Sequence, residues 1–211
     1  MSGQTLHQSV LLNEVVDALG PQNGGCYLDA TFGNGGYSRA ILDAASCTLL
    51  AIDRDPDAIA RGGPMLAEYD GRFHLAEGCF SDMTALLQAQ LTGFDGLDGA
   101  AFDLGVCSPQ IDQAERGFSF RHDGPLDMRM DPTRGRSVHQ WLVTASQEEI
   151  AGVIRDHGEE RFAVQIAKAI VARREERGAP ASTAELAQLV AGTVKTREPG
   201  QDPATRTFQA F

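Results

Sequence analysis

The chain has 211 residues, 42% hydrophobic and 7% aromatic, with 18 Lys and Arg against 29 Asp and Glu and a formal charge of −11. This apolar content supports a buried core and excludes intrinsic disorder, and no apolar run approaches the ~18 residues of a membrane span. The acidic total argues against a simple nucleic-acid coat protein.

Along the chain, the opening MSGQTLHQSVLL has no basic stretch leading into an apolar one, so no secretory signal is read there. Val10, Leu11, Val15 and Leu19 fall at helical spacing, and Gly20-Pro21 ends that helix. Cys26-Tyr27-Leu28 predicts a short strand stopped by Asp29, followed by the glycine-dense Gly33-Asn34-Gly35-Gly36 and a helix over 38–45. Thr48–Ile52 predicts a second strand, stopped by Asp53, and Pro56 suits the first turn of a helix over 57–66. Residues 72–76 predict a third strand, 83–91 a helix, and 99–102 a fourth strand ending at Asp103. Continuous apolar strands alternating with helices predict a parallel sheet with helices on both faces, an α/β fold.

Beyond Pro109 the texture changes. Residues 112–137 are rich in Gly, Asp, Arg and Pro and predict a long ordered loop. Helical patterns then follow over 138–145, 148–157, 160–177 and 183–191, with no strand visible. Thr205–Phe211 looks like the opening of one more helix. The expected division is an α/β core over 1–136, an inserted α-helical domain over 137–200, and over 201–211 the start of a helix returning to the core. Trp141 is the expected core anchor of the helical insertion.

Charge separates along the same line. Residues 1–110 hold 14 acidic and 4 basic side chains, whereas 111–211 hold 15 and 14, twelve of the latter being arginines. Arg116, Arg121, Arg129, Arg134 and Arg136 lie among Phe118, Phe120 and Met128, a mixture suited to phosphate contact and base stacking. Glu115, Asp123, Asp127 and Asp131 in the same stretch equally suit an internally ion-paired loop. A weaker RNA candidate is the helix with Arg161, Lys168, Arg173, Arg174 and Arg177. The four cysteines, Cys26, Cys47, Cys79 and Cys107, form no C-x-x-C pair and read as reduced thiols of a cytoplasmic protein. No metal site is expected.

Three apolar strands ending in Asp29, Asp53 and Asp103 place carboxylates on the edge where ligands of doubly wound sheets bind. Gly33, Gly35 and Gly36 allow close backbone approach between strand and helix, and Asp53 stands where a carboxylate accepts ribose hydroxyls. A dinucleotide fingerprint from Gly33 needs glycine at 38, where Ser38 stands, so the spacing suits S-adenosylmethionine better than a dinucleotide. A glycine loop serving only as a tight turn is the remaining reading. Asp103 and the Ser108-Pro109 turn are candidates to grip the exocyclic amine of a base and aim its nitrogen at a methyl sulfonium. Cys107 offers a different chemistry, nucleophilic attack on a pyrimidine ring, but no basic residue is adjacent in sequence to lower its pKa.

Several segments together resemble the ribosomal RNA small subunit methyltransferase H family. They are His7–Glu14, Asp29–Ser38, Ala51–Pro56, Asp103–Gln110, Glu115–Phe120, Gly124–Asp131, Gly158–Phe162 and Pro203–Ala210. The resemblance implies a Rossmann-like class I methyltransferase core with an inserted helical domain, and methyl transfer from S-adenosylmethionine to N4 of a cytidine in the decoding region of 16S rRNA. It implies donor contacts at Gly35, Gly36, Tyr37, Asp53, Phe80, Asp103 and Gln110, with Asp103, Ser108 and Pro109 serving catalysis. It further implies a cytoplasmic enzyme whose partner is the small ribosomal subunit. Tyr37 stands where the family usually has His, and Cys107 where it usually has Ser. The family's C-terminal core strands are expected to be missing here. Two alternatives accompany this reading: a truncated, inactive RNA- or ribosome-binding remnant, and a dinucleotide-binding oxidoreductase.

Overall fold

The structure is a computed structural model that describes residues 9–194, 200 and 202–211. Internal packing groups the chain into two compact units, Met1–Cys107 and Ser108–Phe211.

In the first unit, helix α1 (Leu12–Leu19) precedes an alternation of strands and helices: β1 (Cys26–Asp29), α2 (Gly36–Ala44), β2 (Thr48–Asp53), α3 (Pro56–Glu68), β3 (Phe73–Glu77), α4 (Met83–Gln90) and β4 (Gly99–Ala101). All four strands run parallel in the order β3-β2-β1-β4. The physical reason is visible in β2, where Leu49, Leu50, Ala51 and Ile52 are all fully buried, as expected of a strand covered on both faces. Successive residues point to opposite sides. Tyr27, Leu49 and Ala51 pack with Ile41 and Leu42 of α2 and Met65 of α3. Leu28, Leu50 and Ile52 pack on the other face with Leu87 of α4. Each such side chain stabilises the unit by roughly 1.5–3 kcal/mol. The start of α3 follows from sequence: the Asp55 carboxylate accepts the Asp57 N–H at 3.0 Å, and Pro56 occupies the first turn.

This order turns the chain to opposite sides of β1, so the topological switch point falls between the carboxyl ends of β1 and β4. The predicted strands and helices of this unit all form, with ends shifted by one or two residues.

The second unit begins with α5 (Ser108–Asp112), a 3-10 turn at Ala114–Arg116 and an irregular stretch to residue 137. Helices α6 (Val138–Thr144), α7 (Gln147–Gly158), α8 (Ala163–Arg177), α9 (Thr183–Thr193) and α10 (Thr205–Ala210) follow. Capping boxes start two of them, Ser137 with Gln140 at α6 and Ser146 with Glu149 at α7. The core gathers Leu126, Leu142, Ile150, Ile154, Ile166, Ile170, Leu186, Val190 and Phe208. Half-buried Trp141 packs against this core and edge-on to Phe211.

The stretch between the two units' boundary and α6 packs with the helices: Leu126 is 1% exposed in their core, and Phe120 lies 4.7 Å from Phe208. Helix α10 docks on α7, where a side chain on Gly158 would meet the Arg206 carbonyl at 2.4 Å. The helix predicted from 160 starts at Ala163, because the Glu160 carboxylate captures the Phe162 N–H at 2.8 Å. Among the described residues no strand follows β4; one isolated bridge pairs Pro125 with Ser182.

Candidate functional site

The turn between β1 and α2 is built by hydrogen bonds to its neighbours. Phe32 N–H donates to the Ile52 carbonyl at 3.0 Å, Gly35 N–H to the Phe32 carbonyl at 2.7 Å, and Gly33 N–H to Asp53 Oδ2 at 2.7 Å. Gly35 has φ 75°, and a Cβ there would lie 2.8 Å from the Phe32 ring and 2.9 Å from Met65 Sδ. Only glycine fits both the conformation and the space.

Asp29 behaves differently from the sequence expectation. It is fully buried and accepts the Ser38 hydroxyl at 2.6 Å and the Thr31 N–H at 3.2 Å. Burial pushes its carboxyl up to about 6, against the lowering effect of those donors. It therefore braces the turn from inside and does not face a cationic ligand. Ser38, legible in the sequence only as a missing glycine, is the residue that satisfies it.

Asp53 ends β2 half-buried. Besides Gly33, it accepts the Asp55 N–H on Oδ1 at 2.9 Å. Each oxygen keeps a second lone pair, so the carboxylate can also accept ligand hydroxyls. At β4, the exposed Asp103 is anchored through its backbone N–H, which donates to the Thr31 hydroxyl at 2.8 Å. Thr31 thus ties the β1 and β4 ends together, a role the motif Asp29–Ser38 does not reveal. Phe80, in the 3-10 turn after β3, packs edge-on to Phe102 at 5.9 Å, and both rings stay exposed, at 39% and 45%. Tyr37 is buried in the first turn of α2 beside Asp103, and burial with that carboxylate raises its phenol pKa. The first unit therefore brings Gly35, Gly36, Tyr37, Asp53, Phe80 and Asp103 to the carboxyl edge of one sheet.

Ser108, Pro109 and Gln110 belong to the second unit, in α5, where Gln110 is 5% exposed and the Pro109 carbonyl accepts the Gln113 N–H at 3.1 Å. The arginines of this unit divide by use. Arg116 is buried and donates to the carbonyls of Arg129 and Met130. Arg129 grips Asp127 with two bonds of 2.8 and 2.7 Å, which lowers the Asp127 pKa. Arg174 donates to the Leu142 and Ala145 carbonyls at the end of α6. Arg121, Arg134 and Arg136 are exposed, Arg134 beside Asp131 at 3.6 Å and Arg136 donating to Thr144. The ion-paired reading of this stretch thus holds for Arg129 with Asp127.

Among the described residues, no three His, Cys, Asp or Glu side chains are grouped to hold a metal ion, and none of the four cysteines forms a disulfide.

The chain is similar to proteins named "Ribosomal RNA small subunit methyltransferase H". It is 58% identical over 210 residues to that of Variovorax paradoxus, covering 97% of this chain and 66% of the relative. It is 56% identical over 212 residues to that of Methylibium petroleiphilum, covering 99% and 66%. The Leptothrix cholodnii protein is 57% identical over 209 residues, covering 97% and 63%. The chain thus spans slightly less than two thirds of the length of these relatives. Residues 4–211 match the MraW methylase family. The chain belongs to that family.

Proposed function

We propose that the chain transfers methyl from S-adenosylmethionine to N4 of a cytidine in the decoding region of 16S rRNA, in the cytoplasm. The observation that carries this reading is the gathering of the glycine turn, Asp53, Phe80 and Asp103 on one sheet edge, in a member of a methylase family. That edge suits the donor. Gly35 excludes any side chain, Asp53 keeps lone pairs for a hydroxyl pair, and the Phe80 ring is exposed for stacking. A dinucleotide fits less well, since Ser38 fills the third glycine position and commits its hydroxyl to Asp29. Among the described residues no helix is long and apolar enough to cross a membrane.

When bound, the donor supplies an electrophilic methyl on a sulfonium. Gly35, Gly36 and Tyr37 would hold it by backbone approach, Asp53 by its ribose and Phe80 by its base. The Asp103 carboxylate accepts a hydrogen bond from the cytidine amine and turns the nitrogen lone pair outward. Much of the acceleration then comes from orientation. Ser108, Pro109 and Gln110, which follow in the same sequence motif, are assigned with Asp103 to amine orientation and donor binding.

The test is transfer of tritiated methyl to small ribosomal subunits that lack the modification, followed by digestion to nucleosides. Label in N4-methylcytidine is the expected result. Donor binding without transfer would favour a non-catalytic RNA- or ribosome-binding role.

A further inference from the structure

The segment Ser9–Leu11 lies directly on the glycine turn. A Cβ on Gly36 would come within 2.1 Å of Ser9 Oγ and 3.3 Å of Ser9 Cβ, so the missing side chain at 36 is what admits this segment. Val10 and Leu11 are 64% and 63% exposed, Leu11 adopts a left-handed φ of 52°, and α1, which packs on α2 and β4, has no fully buried residue and no side-chain N-cap. A left-handed leucine is unfavourable by about 1–2 kcal/mol and persists only where neighbours enforce it.

Next to Leu11, the Tyr37 phenol donates to the Val10 carbonyl at 2.5 Å. The same phenol lies beside the Asp103 carboxylate. A phenol has one proton and an ionised carboxylate can only accept, so Val10 and Asp103 compete for it. Burial, the Asp103 charge and the Asp29 charge all favour the protonated phenol, which keeps that proton available.

Resting on the donor reading above, we propose that Tyr37 is a positioning residue. Its hydroxyl fastens Ser9–Leu11 as a strap across the Gly35–Gly36 turn, and the strap forms part of the donor site. The phenol itself touches neither donor nor base.

Tyr37→Phe tests this with the ring volume preserved. Hydrogen–deuterium exchange over residues 9–19 is expected to accelerate several-fold while β1 and β2 stay protected, and affinity for S-adenosylmethionine is expected to fall about tenfold. Unchanged exchange over 9–19 in the Phe variant overturns the strap, whatever the donor does. Accelerated exchange with unchanged donor affinity overturns its place in the donor site. A wild-type chain that binds no donor overturns the donor reading instead, and exchange alone then decides the tether.

Discussion

The Asp53 carboxylate accepts the backbone N–H of Gly33 at 2.7 Å, across 20 residues of sequence. This bond joins the end of β2 to the glycine turn after β1, so a side chain suited to ribose recognition also holds the turn in shape. Asp53→Asn keeps the volume but offers one good acceptor where two N–H groups, Gly33 and Asp55, now bond. The expected result is a melting free energy lower by about 1–3 kcal/mol and donor affinity at least tenfold weaker. Calorimetry and thermal melts measure both. Unchanged donor affinity would remove this carboxylate from ribose recognition.

Gly35 sets the turn from its other side. An alanine there must hold φ near 75° and place its methyl against the Phe32 ring and Met65. We expect Gly35→Ala to destabilise the first unit by roughly 2–4 kcal/mol, from the left-handed conformation and overpacking together. Urea melts followed by Tyr fluorescence would show it. Wild-type stability with wild-type donor binding would contradict the packing described for this turn.

Asp29 predicts a pH dependence of unusual sign. Its folded carboxyl titrates at about 6, above the unfolded value of about 3.9. Between those values the native state binds more protons than the unfolded one, so this group's contribution to stability falls as pH rises, by roughly 2–3 kcal/mol in all. Asp29→Asn can still accept from Thr31 and can donate to Ser38. Relative to wild type it should gain stability steadily from pH 4 to pH 6 and hold the gain at pH 7. Parallel curves for the two proteins would contradict a buried, raised carboxyl.

Arg174 is committed to the fold of the second unit. Its guanidinium bonds the Leu142 and Ala145 carbonyls at 2.8 and 2.7 Å, satisfying the C-terminus of α6. Arg174→Met keeps the stem's packing and is expected to lower the stability of the second unit by about 1–3 kcal/mol. The salt dependence of RNA binding should not change, whereas neutralising Arg134 and Arg136 should reduce its slope. A reduced slope for the Met variant with unaltered stability would reverse that sorting.

Much of the first unit was legible because its strands are apolar runs that stop at single aspartates, a pattern tied to a sheet covered on both faces. What the pattern could not give was the direction of each aspartate. Asp29 turns inward because Ser38, nine residues on, meets it from the first turn of α2, and that meeting depends on how α2 lies over β1. The link from Thr31 to Asp103 spans 72 residues and leaves no periodic trace. In the second unit the helices were legible from spacing, but arginine roles were not. Whether an arginine meets solvent or a distant carbonyl, as Arg174 does across 32 and 29 residues, is decided by packing. The packing of the irregular stretch with these helices was hidden for the same reason: Leu126 and Phe120 look like loop residues until the helices close around them.

The central claim is that the carboxyl edge of this sheet is a site for S-adenosylmethionine. Isothermal titration of the chain with S-adenosylmethionine and, separately, with NAD tests it most directly. Saturable one-to-one binding of the methyl donor, with no heat from NAD, is the predicted result. No binding of S-adenosylmethionine, or binding of NAD in its place, would contradict it.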